Sequence, residues 1–408
     1  MKFSIFDCSV PFTKQSQRWL GAMYCQWELQ KRGMQEVSIE NATHILCSCV
    51  SVGNVTRIKT LKKKNKSAII IVGGPAAYSP YIFMDVADVI VVGDGSRFFR
   101  ILFEKGIDKA VELENVLTQN KLFAKIDNGF PYNMPPMKTI DGTYRVFCGK
   151  GCKGKCNFCQ TGWAIEYSEN PDPGLLIRQS KDLIRAGQKI QYVSNDLNQH
   201  SFSPKLPNTS TGSVSVKFLK KYGLPAAREV RLGIEGVSQR LRDKNAKPIS
   251  NKDLVDLSIW LSSNSRAVKW FLIAGLPSEH KDDWGELREA IKAWKKYTSK
   301  GVLHISFTTF TPQPATPFSY YGVNSEYWEN YEEFADWFFH GKGYSNRIRI
   351  YKPEKPENRD KNAILYMGNE ESVYKTGVYS PNISVVEYPH RKLWGKRIEE
   401  LVKQEKEE

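Results

Sequence analysis

Long apolar runs are missing from this chain: no uninterrupted stretch is long enough to cross a bilayer. Cysteine is scarce, 8 in 408 residues, which is too few for a disulfide scaffold. The opening Met-Lys-Phe-Ser-Ile-Phe-Asp lacks a signal-like apolar core. These absences lead to the expectation of a cytoplasmic protein (the host's cytoplasm if the source is viral) with reduced thiols and no membrane partner. Acidic residues are outnumbered, 44 Asp and Glu against 59 Lys and Arg, giving a formal net charge of +15. The imbalance favours an anionic partner, a nucleic acid or nucleotide, over a merely solvated surface such as Lys59-Thr-Leu-Lys-Lys-Lys-Asn-Lys66. No internal repeat is visible.

What is present is concentrated in the run Cys148-Gly-Lys-Gly-Cys152-Lys-Gly-Lys-Cys156-Asn-Phe-Cys159-Gln-Thr-Gly162, whose last three cysteines have the spacing C-x3-C-x2-C. Three thiolates this close hold three corners of a [4Fe-4S] cluster and leave the fourth iron open to a small molecule. With Cys148 as a fourth ligand, the same loop would suit a structural zinc ion instead.

The patterning along the chain predicts an α/β protein. Lys2–Phe6, Thr43–Ser48, Ala68–Val72 and Val89–Val92 are strand-like, and Gln17–Gly33 and Gly53–Lys64 have helical length and spacing. Alternation of this kind implies an N-terminal parallel sheet, doubly wound and covered on both faces, over residues 1–110. The turns Gly73-Gly74-Pro75 and Gly93-Asp94-Gly95 fall at strand carboxyl ends, where such sheets bind ligands. Residues 111–143, with the Pro-rich Gly129-Phe-Pro-Tyr-Asn-Met-Pro-Pro136, read as a linker. Residues 144–320 read as a partial βα barrel of about six units. Its candidate strands are Tyr144–Phe147, Ile190–Ser194, Ser213–Val216, Glu229–Ile234, Val268–Ile273 and Val302–Thr309. Residues 321–408 read as a small C-terminal extension. Its aromatic helix, Tyr327–Phe339, looks like a packing face. Arg347-Ile-Arg-Ile-Tyr-Lys-Pro-Glu-Lys355 interleaves cations with an aromatic, as single-strand binding surfaces do. The last helix, His390–Glu408, is mixed in charge and suits a surface or a partner.

The cysteine loop, with Phe158 just before its third Cys, resembles the radical S-adenosylmethionine (radical SAM) superfamily. Downstream segments extend the likeness in order. Glu229-Val-Arg-Leu-Gly-Ile-Glu-Gly-Val-Ser238 resembles the superfamily's fourth-strand segment, Gly275-Leu-Pro-Ser-Glu279 its fifth-strand turn, and Phe307–Phe318 its sixth-strand segment. The usual Gly-Gly-Glu after the second strand is replaced by Ser194-Asn-Asp-Leu-Asn198. The resemblance implies that Cys152, Cys156 and Cys159 hold the cluster, that Phe158, Asn195, Glu235, Ser238 and Gly275 surround SAM, and that an external electron donor reduces the cluster. The sequence singles out no catalytic acid, base or nucleophile.

The N-terminal region resembles the cobalamin-binding domain that precedes many radical SAM barrels, chiefly over Gly73–Gly95. The cobalt-ligating D-x-H-x-x-G loop is missing, so cobalamin is not expected. The same region is also similar to the first domain of methylthiotransferases, in which three Cys bind a second cluster. Cys8 and Cys47 or Cys49 match two of those, and Gly73-Gly74 replaces the third; the alternative is that Cys8, Cys25, Cys47 and Cys49 are small core residues. The layout implies a radical SAM enzyme that modifies or rearranges a nucleobase or nucleotide, such as an isomerase in phage-type DNA thymidine hypermodification. An RNA methylthiotransferase or methyltransferase is one alternative, and a zinc-stabilised nucleic-acid binding module is another.

Overall fold

The computed structural model describes residues 1–15, 18, 20–129, 134–139, 141–207, 229–247, 249–264, 266–341 and 343–407. The candidate strand Ser213–Val216 and residues 130–133 of the Pro-rich linker lie outside them.

The first unit is a five-stranded sheet of β1 (Phe3–Asp7), β2 (His44–Ser48), β3 (Ile69–Gly73), β4 (Val89–Val91) and β5 (Val116–Leu117). β1 to β4 are parallel, and β5 returns antiparallel to β4. Every residue of β1 and β2 is buried, as expected where both faces of a parallel sheet are covered. On one face α1 (Leu20–Lys31) and α3 (Ser96–Lys105) place Ala22, Leu29, Phe98 and Leu102 against Ile5, Leu46 and Ile71. On the other, Ile58 and Leu61 of α2 (Val55–Lys64) meet Ile45, Ile70 and Val72. The expected α/β class, with helices on both faces of a parallel sheet, is found, and the strands follow one another across the sheet in chain order. Spacing along a sequence carries no information about that lateral order.

The second unit is built from two parallel arrays. Thr143–Phe147 pairs with Lys189–Val193, and Met137–Lys138 lies antiparallel on the other edge. Glu229–Glu235, Ala267–Ala274, Leu303–Thr309 and Ile348–Tyr351 form the second array. Trp270, Trp284, Trp294 and Phe307 fill the core between these strands and their helices. The sheet therefore continues past residue 320. Ile348–Tyr351, within the stretch whose cations and aromatic resemble a single-strand binding surface, is a strand paired with Leu303–Ser306. The aromatic helix, Tyr327–His340, buries Tyr327, Tyr331, Phe334 and Phe338 in the same core.

The carboxyl-terminal residues join the two units. Val386–Glu387 pairs with Ala124–Lys125, and Tyr388 Oη donates to Tyr78 O at 2.6 Å. The last helix, Arg391–Glu407, lays Leu401 into the barrel core and Trp394 against Trp163. No helix among the described residues is long and apolar enough to cross a membrane.

Candidate active site

The cysteine loop leaves the carboxyl end of the first barrel strand. Gly149–Lys150 pairs back with Ser168–Glu169, so the loop closes as a hairpin. Two glycines permit that closure. Gly151 has φ +68, and a Cβ there would lie 2.5 Å from Glu166 O. A Cβ on Gly162 would lie 2.3 Å from Gly154 O. Neighbouring elements grip the loop at Asn157, which is fully buried: its Nδ2 donates to Lys244 O at 2.5 Å, and its O accepts from Phe318 N at 2.9 Å. Trp163 Nε1 donates to Cys156 O at 2.9 Å. Phe158 packs against the barrel core.

Cys152, Cys156 and Cys159 are half-buried on this loop. Burial pushes the Cys152 thiol up and the Cys156 thiol up to about 12. Such thiols ionise when a cation takes the place of the proton. Cys148 stands apart: fully buried, it packs with Val146, Leu176 and Phe202, and its Sγ lies 3.5 Å from Val146 O. Among the described residues, no three His, Cys, Asp or Glu side chains converge closely enough for one metal ion. A cubane spreads its ligands over several irons and suits three separated thiols.

Glu235 ends the strand Glu229–Glu235 at a bulge with φ +66, a strained conformation for a non-glycine residue. Its Oε1 lies 3.4 Å from Lys247 Nζ. Burial raises the Glu235 carboxyl, and Lys247 opposes the rise. Burial pulls Lys247 down, but the charges of Glu235 and Cys156 win and hold it above its ordinary value. Lys247 thus bridges Glu235 and the cysteine loop electrostatically. The structure brings Glu235 and Phe158 to the loop. Asn195 is exposed at the end of the second barrel strand. Ser238 is fully buried and committed to the fold: its Oγ donates to Asp283 Oδ1 at 2.6 Å and accepts from Leu241 N. Gly275, at φ +79, donates its N–H to Glu279 Oε2 at 2.9 Å, which locks the Gly-Leu-Pro-Ser-Glu turn. Lys247 and Gln199 were missed by sequence reasoning. Gln199 lies one residue beyond the Ser194–Asn198 segment, and neither residue sits in a motif position.

A second concavity lies at the carboxyl ends of β2, β3 and β4, between α1 and α3. This cavity of about 240 Å³ is lined by Tyr24, Ser48, Gly73, Asp94, Phe99 and Phe147, among others. Phe147 also ends the first barrel strand, so the cavity borders the start of the cysteine loop. His44 sits at the opposite, amino end of β2, with Nδ1 2.8 Å from Thr43 Oγ1.

The fold, a parallel α/β domain followed by βα units, resembles that of solved cobalamin-dependent radical SAM enzymes. The radical SAM methyltransferase TsrM of Kitasatospora setae, solved with cobalamin and a [4Fe-4S] cluster bound, superposes with a TM-score of 0.52 at 12% identity, over 75% of each chain. The cobalamin-dependent SAM radical enzyme OxsB, in its apo form, superposes with a TM-score of 0.54 at 12% identity, over 99% of this chain and 61% of its own. OxsB with aqua-cobalamin bound gives 0.52 at 14% identity, over 74% of this chain and 53% of its own. No protein-family profile matches the chain. A protein of Methanocaldococcus jannaschii known only as uncharacterized is 24% identical over 287 residues, spanning 64% of each chain. The expectation against cobalamin finds no support here, because these structural neighbours bind it.

Proposed function

We propose that this protein is a radical SAM enzyme whose [4Fe-4S] cluster is held by Cys152, Cys156 and Cys159. One observation carries the reading: three half-buried thiols share a braced loop at the carboxyl end of a barrel strand, while the fourth, Cys148, is turned into the core. Bound there, a reduced cluster would supply the electron that cleaves SAM to methionine and a 5′-deoxyadenosyl radical, and a nearby donor protein would replace that electron. Glu235, paired with Lys247, would accept from the ribose hydroxyls of SAM, and Phe158 would wall the pocket. Asn195 is exposed and would close over SAM from the second strand. Gly275 keeps its turn free of a side chain.

The substrate we favour is a nucleobase or nucleotide, modified or rearranged by hydrogen abstraction. The net charge of +15 supports it, as does the groove lined by Lys59, Lys62 and Lys63 of α2 and by Lys66 just beyond its end. Cobalamin-dependent methyl transfer is a second reading, favoured by the cavity at the β2–β4 edge. Its described lining contains no imidazole, so a cobalamin there would have no histidine ligand from that wall.

The test is SAM cleavage by anaerobically reconstituted protein with dithionite, comparing wild type with Cys156→Ala. 5′-Deoxyadenosine from the wild type alone supports the assignment, and stimulation by nucleotides, DNA or RNA then selects the substrate. Retained aquacobalamin absorbance after desalting would favour the second reading. Zinc without iron would refute both.

A further inference from the structure

The first cysteine of the loop has a side-chain partner that no motif marks. Gln199 closes the short turn Leu197–Gln199 after the second barrel strand, and its amide reaches back to the cysteine loop. Oε1 accepts from Lys153 N at 2.5 Å, while Nε2 donates to Cys152 Sγ at 3.1 Å and to Asp196 Oδ2 at 2.9 Å. The orientation of the amide follows from its neighbours: a backbone N–H needs the oxygen, and a carboxylate needs the nitrogen. Gly154 N adds a second donor to the same sulfur at 3.3 Å. Among the described residues, no N–H reaches Sγ of Cys156 or Cys159. The main chain of Gln199 is pinned too, since its O accepts from Tyr167 Oη at 2.9 Å. Tyr167 Oη in turn lies 3.0 Å from His200 Nδ1, and His200 Nε2 lies 2.6 Å from Ser194 Oγ. The donor at Cys152 is therefore held by a part-buried network rather than by a free side chain.

We propose that Gln199 is a positioning residue that raises the reduction potential of the cluster through Cys152. This rests on reading the three cysteines as cluster ligands. Reduction adds one negative charge, which spreads onto the ligating sulfurs. An N–H aimed at one sulfur stabilises the reduced form more than the oxidised form. Two donors at Cys152, against none found at the other two sulfurs, single out that corner of the loop.

The experiment uses the full chain, reconstituted with iron and sulfide, as wild type, Gln199→Met and Gln199→Glu. Iron and sulfide content are measured first, followed by a redox titration read by electron paramagnetic resonance. Gln199→Glu keeps an acceptor for Lys153 N but loses both donors; Gln199→Met loses all three bonds without adding charge. We expect both variants to load the cluster with midpoints shifted negative of wild type, and Gln199→Glu to shift further because of its added charge. Unmoved midpoints at full iron content would overturn the inference. So would loss of iron from Gln199→Met with a wild-type midpoint in Gln199→Glu, or loss of iron from both, because Gln199 would then only brace the loop. Absence of iron from the wild type would remove the cluster reading itself, whereas a loaded wild type with unmoved variants removes this inference alone.

Discussion

Two groups of three cysteines can be compared within this molecule. Cys152, Cys156 and Cys159 sit half-buried on a loop that barrel elements hold open. Cys8, Cys47 and Cys49 sit buried at the β1–β2 end of the N-terminal sheet, in contact with one another. Burial pushes Cys47 and Cys49 well up, as does the neighbouring Cys8. Burial alone would raise Cys8 too, but hydrogen bonds from Cys47 and Cys49 bring it below its ordinary value, to about 6. The Gly73-Gly74 turn, which stands where the methylthiotransferase resemblance has its third cysteine, passes close to them: Gly74 has φ +97, and a Cβ there would lie 2.6 Å from Cys49 O. The two groups differ in exposure: the barrel loop leaves its thiols half-buried, while the sheet packs its own into a core.

Substitutions can break or sharpen that contrast. The largest effect is expected from the cysteines themselves. Cys156→Ala should lose cluster iron and SAM cleavage to background, whereas Cys47→Ala should keep its iron content and change only thermal stability. Gly162→Ala comes next. Its Cβ would meet Gly154 O, so the loop should distort and iron loading should fall several-fold while the far-ultraviolet dichroism stays unchanged. On the sheet side, Gly74→Ala should destabilise by about 2–3 kcal/mol in denaturant titration, through positive φ and overpacking together. Trp163→Phe removes one donor to the loop, at Cys156 O, and should cost about 1 kcal/mol with the cluster retained. A separate effect concerns pH. Burial pushes the Glu279 carboxyl up to about 8, so the folded state holds this proton more tightly than the unfolded chain does. Its contribution to stability is full below the ordinary carboxylate range and is lost as pH rises through about 8. Glu279→Gln should flatten that part of the stability profile, measured by thermal unfolding between weakly acidic and weakly basic buffer.

Much of the fold was legible because apolar runs bounded by turns mark strands well. The expected Tyr144–Phe147, Ile190–Ser194 and Val268–Ile273 fall within a residue of Thr143–Phe147, Lys189–Val193 and Ala267–Ala274. The cysteine spacing was legible for the same reason: it is local. Features that depend on distant partners were not. Ile348–Tyr351 leaves Arg349 and Tyr351 exposed, which in sequence reads as a cation and aromatic stripe. Only its pairing with Leu303–Ser306 shows it to be a strand. Ser238 stands where its motif suggests a contact to SAM, and the structure shows its hydroxyl also capping a helix. Gln199 meets Cys152 across 47 positions, a contact that chain order does not announce.

The pairing of Val386–Glu387 with Ala124–Lys125 bears on how the protein is made. Val386 and Tyr388 are buried in the core of the N-terminal sheet, though they lie near the other end of the chain. On the ribosome the sheet's own strands emerge first, and one of its faces stays incomplete until some 260 further residues have followed. The first unit to be synthesised is thus among the last to finish folding, and a nascent chain stalled after the barrel would carry an open apolar face for chaperones to guard.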